Sequence, residues 1–127
     1  MRYFIRSVFF ALRGIYNFFR TERNGKIQGL IAVLAIAAGI FFELQKIEWL
    51  FLFLCIAVVI SLEMLNSAIE RVCNMYTTEF HPAIKIIKDV AAAAVLWSSI
   101  MAAIIGGILF LPHISALLGA RISFRNQ

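Results

Sequence analysis

From Val90 to Leu111 the chain carries no charged side chain, and that run alone removes most water-soluble folds from consideration. About 20 apolar residues cross the hydrocarbon core of a bilayer as an α-helix, whose backbone polar groups are satisfied within the segment. Two further runs have the same character, one at about 27–42, somewhat short for a span, and one at about 47–65. Hydrophobic residues make up 62% of the 127, against roughly 45–50% in soluble domains. Lipid is the simplest medium for so much apolar surface. The expectation is an all-α membrane protein: one domain over 1–127, with three transmembrane helices and a tail, 112–127, that carries no recognisable signal.

Ahead of the first run, Phe4, Ile5, Val8, Phe9, Leu12, Ile15, Tyr16 and Phe19 recur at helical spacing, with Arg2, Arg6, Arg13 and Arg20 largely off their stripe. That pattern predicts an amphipathic helix over about 2–20, lying on the membrane surface. Basic residues recur through it and no small-residue cleavage site closes it, so a cleaved signal peptide is not expected. The net charge of +5 is concentrated here, with six Lys and Arg in residues 1–26 against the single acid Glu22. A basic cluster beside apolar segments suits an anionic membrane face better than nucleic acid.

Loop charges set the orientation. The 43–48 connection holds only Lys46, whereas the 71–89 connection holds Arg71, Lys85 and Lys88. The positive-inside rule puts the N-terminus and the 71–89 loop in the cytoplasm, with Arg121 and Arg125 counting weakly against it. Trp49 and Trp97 are candidates for membrane interfaces. Cys55 and Cys73 have neither disulfide nor zinc-ligand spacing and are expected to be free thiols.

The tract Glu63-Met64-Leu65-Asn66-Ser67-Ala68-Ile69-Glu70 closes the second apolar run. On a helix, positions 63, 66 and 70 are i, i+3 and i+7, so both carboxylates and the amide share one face. Ionisable groups at membrane depth are expensive and mark sites or cavities. With the expected orientation, Glu63, Asn66, Glu70, Glu22 and Lys88 gather near the cytoplasmic face.

These residues, together with Glu79-Phe80-His81-Pro82 and the Lys88-Asp89 pair before an alanine-rich span, closely resemble the small prokaryotic membrane lipid kinases. That family includes diacylglycerol kinases and undecaprenol kinases, and the resemblance covers about residues 5–111. It implies a homotrimer in the bacterial cytoplasmic (inner) membrane, multi-pass, with active sites at subunit contacts facing the cytoplasm. It also implies transfer of the γ-phosphoryl of MgATP to a lipid hydroxyl, with Mg²⁺ as cofactor. The chain has no GxxxxGK[ST] loop and no protein-kinase signature set, so ATP must be held by other means. Thr21-Glu22-Arg23-Asn24, Glu79-Phe80-His81-Pro82 and Lys88-Asp89-Val90-Ala91 look more like the undecaprenol kinase branch. The alternative acceptor is diacylglycerol, giving phosphatidic acid.

Phosphoryl transfer needs positioning, charge neutralisation and a group to take the hydroxyl proton. Glu63 sits deepest in the apolar run and is the candidate general base, at the end where the lipid hydroxyl would arrive. Glu70 lies two turns along, about 10 Å away at about 1.5 Å per residue. That separation suits a base at one end and a metal ligand at the other. The resemblance adds Glu22 to Glu70 as the Mg²⁺ ligands. It assigns Asn66 to orienting the glutamates or touching a phosphate, Lys88 to the β- and γ-phosphates, and Asp89 to the nucleotide. Glu79, Phe80 and His81 belong to its adenine and ribose end. Arg6 is a weaker candidate at the nucleotide or lipid, and Phe10 at the nucleotide, since relatives often carry Tyr at position 10. Asn74 stands where many relatives have aspartate and receives no role.

Other readings of these residues stay open. Glu63, Asn66 and Glu70 can bond helices together in lipid, and Glu22 can pair with Arg23 or Lys26. Lys88 and Asp89 can cap the third span, His81 and Pro82 can simply start a helix, and Glu43 and Glu48 read as solvated turn residues. A non-catalytic small membrane subunit is the competing class, and it leaves the 63–66–70 face unexplained.

Overall fold

The computed structural model describes residues 1–125, apart from the side chains of residue 2 and of residues 120–125. Four helices follow one another: α1 (Arg2–Thr21), α2 (Arg23–Phe41), α3 (Lys46–Tyr76) and α4 (Pro82–Arg125). Three of them, α2, α3 and α4, are long and apolar enough to cross a membrane. This agrees with the three spans expected from the apolar runs.

The helix ends differ from the apolar ends. α3 continues past the expected 65 to Tyr76 and has 31 residues, about 46 Å at about 1.5 Å per residue. A bilayer core is about 30 Å thick, so the helix that carries the Glu63–Glu70 tract is longer than a span requires. α4 begins at Pro82 rather than Val90 and passes through Pro112 instead of stopping at Leu111. Hydropathy marks where lipid ends, and polar residues carry a helix further without changing its hydrogen bonding. Pro82 suits a first helical position because the N–H it lacks has no partner there. Around Pro112, His113 Nδ1 lies 3.0 Å from the Leu109 carbonyl and Ser115 Oγ donates to the Pro112 carbonyl at 2.8 Å. Residues 126 and 127 of the tail, and the side chains of Arg121 and Arg125, lie outside the described residues.

Two junctions set the packing. Glu22, extended at φ −82° and ψ 128°, ends α1 and begins α2. There the ring of Phe18 lies over Gly25, where a Cβ would sit 2.8 Å from it. Between α2 and α3 the chain turns through Glu43 at φ 54°. The Leu44 N–H bonds to the Gly39 carbonyl and the Glu43 N–H to that of Ile40, the Schellman pattern with glutamate in its left-handed position. Leu44 and Trp49 then close over Gly39. Glu43 is exposed, as expected of a turn residue. Glu48 is not simply solvated: its Oε2 accepts from the Gln45 N–H at 2.7 Å and lies 3.8 Å from His113 Nε2.

Packing is most extensive between α3 and α4, then α2 and α3, while α1 packs on α2. Leu44, Leu52 and Leu109 form the small buried core, with Trp49, Ile56 and Phe110 against it. Most large apolar side chains of the spans, Leu30, Val33, Phe53, Leu54, Trp97 and Ile108 among them, remain exposed. Such a surface calls for lipid or further protein around it.

Candidate active site

Glu63 is 2% exposed, and its carboxylate is held from α2. Asn24 Nδ2 donates to Oε1 at 3.0 Å and Gln28 Nε2 donates to Oε2 at 3.2 Å. Asn24 and Gln28 are i and i+4 on α2, so one helical face presents both amides to one carboxylate. Neither was given a role from the sequence, although Asn24 stands in the Thr21–Asn24 motif. The signal was there: two amides one turn apart at the mouth of an apolar run. Only their pairing with Glu63 needed the fold.

Two buried acceptors near this carboxylate have no donor. Gln28 Oε1 and Asn66 Oδ1 are enclosed and unpartnered among the described residues. An unpaired buried acceptor is costly, of the order of 1–3 kcal/mol, and its presence beside a buried carboxylate is what an incoming hydroxyl or ammonium donor would relieve. Gln28 also lines an apolar cleft of about 320 Å³. Its walls come from Ile31 and Ala35 of α2, Ile56 and Val59 of α3, and Ala103 and Gly106 of α4. The cleft is apolar apart from a few groups such as Gln28 and Ser99, the character of a site for an apolar ligand with a polar group.

Glu22 meets α3 rather than its own neighbours. Arg71 donates through Nη2 to Glu22 Oε1 and, at 3.4 Å, to Thr21 Oγ1. Arg71 therefore takes the place that the alternative reading gave to Arg23 or Lys26. Arg23 and Lys26 follow Glu22 closely on α2, whereas Arg71 projects from the facing helix. Glu70 is exposed on α3 and makes no hydrogen bond or ion pair among the described residues.

The third span contributes Lys88, whose Nζ donates to Asn74 Oδ1 at 2.7 Å. Asn74 thus has a place after all, as the α3 partner of the α4 lysine. Asp89 pairs with Lys85 one turn away on α4. Glu79, Phe80 and His81 lie exposed in the connection between α3 and α4. Arg6 and Phe10 are exposed on α1, and α1 packs on α2 alone among the more extensive contacts. One chain therefore brings together Glu63, Asn66, Asn24 and Gln28, and separately Glu22 with Arg71 and Lys88 with Asn74. It does not gather Arg6, Phe10, Glu79, Phe80 or His81 into that site.

No group of three or more His, Cys, Asp or Glu among the described residues forms a metal cage. A Mg²⁺ that arrives on a nucleotide takes only one or two protein carboxylates, with phosphate oxygens and water completing its shell. Glu22, already turned toward a cationic group, and Glu70, open on the adjacent turn of α3, fit that demand.

Three apolar helices that can cross a membrane, with a buried carboxylate held by two amides, one of which also lines an apolar cleft, define a multi-pass membrane protein with a polar site among its helices. The profile of the prokaryotic diacylglycerol kinase family matches residues 9–110, and the chain belongs to that family of phosphotransferases. It is 40% identical over 111 residues to an undecaprenol kinase of Bacillus subtilis, covering 87% of this chain and 90% of that one. A diacylglycerol kinase of Synechocystis sp. is 37% identical over 110 residues, 86% of this chain and 63% of its own. The Escherichia coli K12 diacylglycerol kinase is 28% identical over 109 residues, 86% and 89% of the two chains.

Proposed function

We propose that this protein is a lipid kinase that transfers the γ-phosphoryl group of MgATP to the hydroxyl of a membrane lipid, undecaprenol before diacylglycerol. The observation that carries the reading is the Glu63 carboxylate, buried and held by Asn24 and by Gln28, which also lines the apolar cleft. In this reading the lipid chain occupies the cleft and its hydroxyl reaches Glu63 beside the free Oε1 of Gln28. Glu63 takes the hydroxyl proton, the oxygen bonds to the γ-phosphorus, and the bond to the β,γ-bridging oxygen breaks to release ADP. The two amides keep Glu63 in one orientation, so little reorganisation is needed when the hydroxyl arrives.

Glu22 and Glu70 are assigned to the metal; Mg²⁺, when bound, neutralises charge on the transferring group. Lys88 is assigned to the nucleotide phosphates, with Asp89, Asn66, Glu79, Phe80, His81 and Phe10 around the nucleotide and Arg6 at the lipid. Several of these lie apart from Glu63 within one chain, and most span surface is exposed apolar. Both facts support a homotrimer in which a neighbouring subunit completes the site. α1, with Phe4, Ile5 and Phe9 exposed beside its arginines, suits a helix lying on the cytoplasmic face of the bacterial inner membrane.

The greater coverage and identity of the undecaprenol kinase relative favour a polyprenol acceptor. The 37% identity to a diacylglycerol kinase supports the second reading, formation of phosphatidic acid. Purified protein in mixed micelles with labelled ATP and Mg²⁺, offered each lipid separately, decides between them. Phosphorylation of undecaprenol at the higher kcat/KM is expected. Preference for diacylglycerol would establish the second reading, and turnover of neither lipid would overturn both.

A further inference from the structure

Arg71 has no part in the reaction as assigned so far, yet it holds one of the residues assigned to the metal. Its guanidinium, on α3, meets the carboxylate of Glu22, the residue at which α1 becomes α2. The same Nη2 reaches Thr21 Oγ1, and Thr21 Oγ1 in turn donates to the Asn17 carbonyl of α1 at 2.8 Å. One side chain thus fastens the α1–α2 junction to α3, immediately after Glu70 in sequence.

Glu22 stands at the first helix's C-cap and the second helix's N-cap, where an acidic side chain usually accepts from the backbone N–H groups of the first turn. It makes no such cap hydrogen bond. Its carboxylate is turned instead across the helix interface to Arg71. The pair is partly solvated, with the Glu22 side chain 29% exposed and that of Arg71 63% exposed. A partly exposed ion pair is weak enough to be exchanged: it holds its partners without competing overwhelmingly against a doubly charged ion.

We propose that Arg71 is a tethered cation that keeps Glu22 placed against α3 and yields it to the incoming divalent ion. Arg71 occupies the Glu22 carboxylate until the ion takes it. The proposal rests on the assignment of Glu22 to the metal.

The test is Mn²⁺ binding to the full chain in detergent micelles, read from loss of the free-ion electron paramagnetic resonance signal in the presence of β,γ-methylene-ATP. Arg71→Gln removes the competitor, so Mn²⁺ should bind about two- to fivefold more tightly, the size of one partly exposed ion pair given up. Arg23→Gln removes the same charge from the start of α2 and should leave the affinity near wild type, which separates exchange at Glu22 from a general change in field. Arg71→Lys keeps the charge but changes the shape of the donor that meets Thr21 and Glu22, and should give a smaller gain. Helix content by circular dichroism checks that each variant is folded, and Arg71→Lys carries the test if Arg71→Gln is not.

Glu22→Gln distinguishes the two possible failures. It should weaken Mn²⁺ binding and erase the difference between Arg71 and Gln at position 71. If Glu22→Gln leaves Mn²⁺ binding unchanged, the assignment of Glu22 to the metal fails and the exchange with it. If Glu22→Gln weakens binding while neither Arg71 variant binds more tightly than wild type, the metal assignment stands and the exchange is overturned. An equal gain in Arg23→Gln and Arg71→Gln also overturns it.

Discussion

Gln28 of α2 donates from Nε2 to Oε2 of Glu63 on α3 at 3.2 Å, and its own Oε1 is buried with no donor. One amide in the wall of the apolar cleft therefore does two things: it orients a buried carboxylate and leaves an acceptor open beside it. Asn24, one turn earlier, holds the other carboxylate oxygen at 3.0 Å. A carboxylate fixed at both oxygens is aimed at one place.

Glu63→Gln is expected to lower kcat by about 10²–10⁴-fold, the usual contribution of a general base, with MgATP binding nearly intact. The fold should survive, because Gln28 can rotate its amide and offer Oε1 to the new amide group. Steady-state kinetics in micelles with a separate nucleotide-binding titration checks this. Turnover near the wild-type rate would mean that the proton goes elsewhere.

Gln28→Leu should raise KM for the lipid and lower kcat while leaving KM for MgATP close to wild type. The substitution removes one of two donors to a buried carboxylate, which destabilises by roughly 1–3 kcal/mol. Kinetics with each substrate varied in turn and a thermal melt in detergent report the two effects. A rise confined to the nucleotide KM would place Gln28 at the other substrate.

Glu22→Ala and Glu70→Ala should each weaken the response to Mg²⁺ and raise the apparent KM for MgATP, as the loss of a metal carboxylate does. A magnesium titration at fixed lipid is the measurement. Unchanged curves in both variants would leave these residues with structural roles only.

Gly25→Ala should destabilise the chain by about 1–3 kcal/mol, as overpacking at a close contact does, because its Cβ would sit 2.8 Å from the Phe18 ring. Gly14→Ala is the control. Nothing lies within 4 Å of a Cβ there, and alanine favours the helix by up to about 1 kcal/mol. Denaturation in mixed micelles should order the two variants on opposite sides of wild type.

Mixing Glu63→Gln protein with Arg6→Ala protein should restore partial activity if a neighbouring subunit supplies Arg6 to the site. Within one chain Glu22 is tied by Arg71 to the helix that bears Glu63, so Arg6 of α1 is the better partner for this cross than Glu22. No recovery at any ratio, with mixed oligomers confirmed, would mean that each chain completes its own site. A cysteine placed by Lys85→Cys should be labelled from the cytoplasmic side, and labelling only from outside would overturn the orientation.

The amino-acid sequence by itself determined the class of this protein. Its apolar runs have one solvent that suits them, so three spanning helices follow from composition and run length. The shared face of Glu63, Asn66 and Glu70 follows from helix geometry alone, whatever the rest of the chain does. Helix ends were less legible, because α3 beyond 65 and α4 before 90 and after 111 are polar or mixed, and hydropathy reports solvent rather than backbone hydrogen bonding.

Only the tertiary structure decided the partners. Asn24 and Gln28 are 39 and 35 residues from Glu63, and no spacing rule connects them. Their meeting depends on the turn at Glu43, which sets the register of α2 against α3. Arg71 reads in sequence as one more charge in a basic loop, and only the packing of α3 against the α1–α2 junction puts it on Glu22. Helical periodicity fixes which face a side chain occupies, since that depends on neighbours a few residues away. Which two faces meet depends on turns and close contacts such as Phe18 on Gly25 and Leu44 on Gly39, and these exist only once the helices have packed.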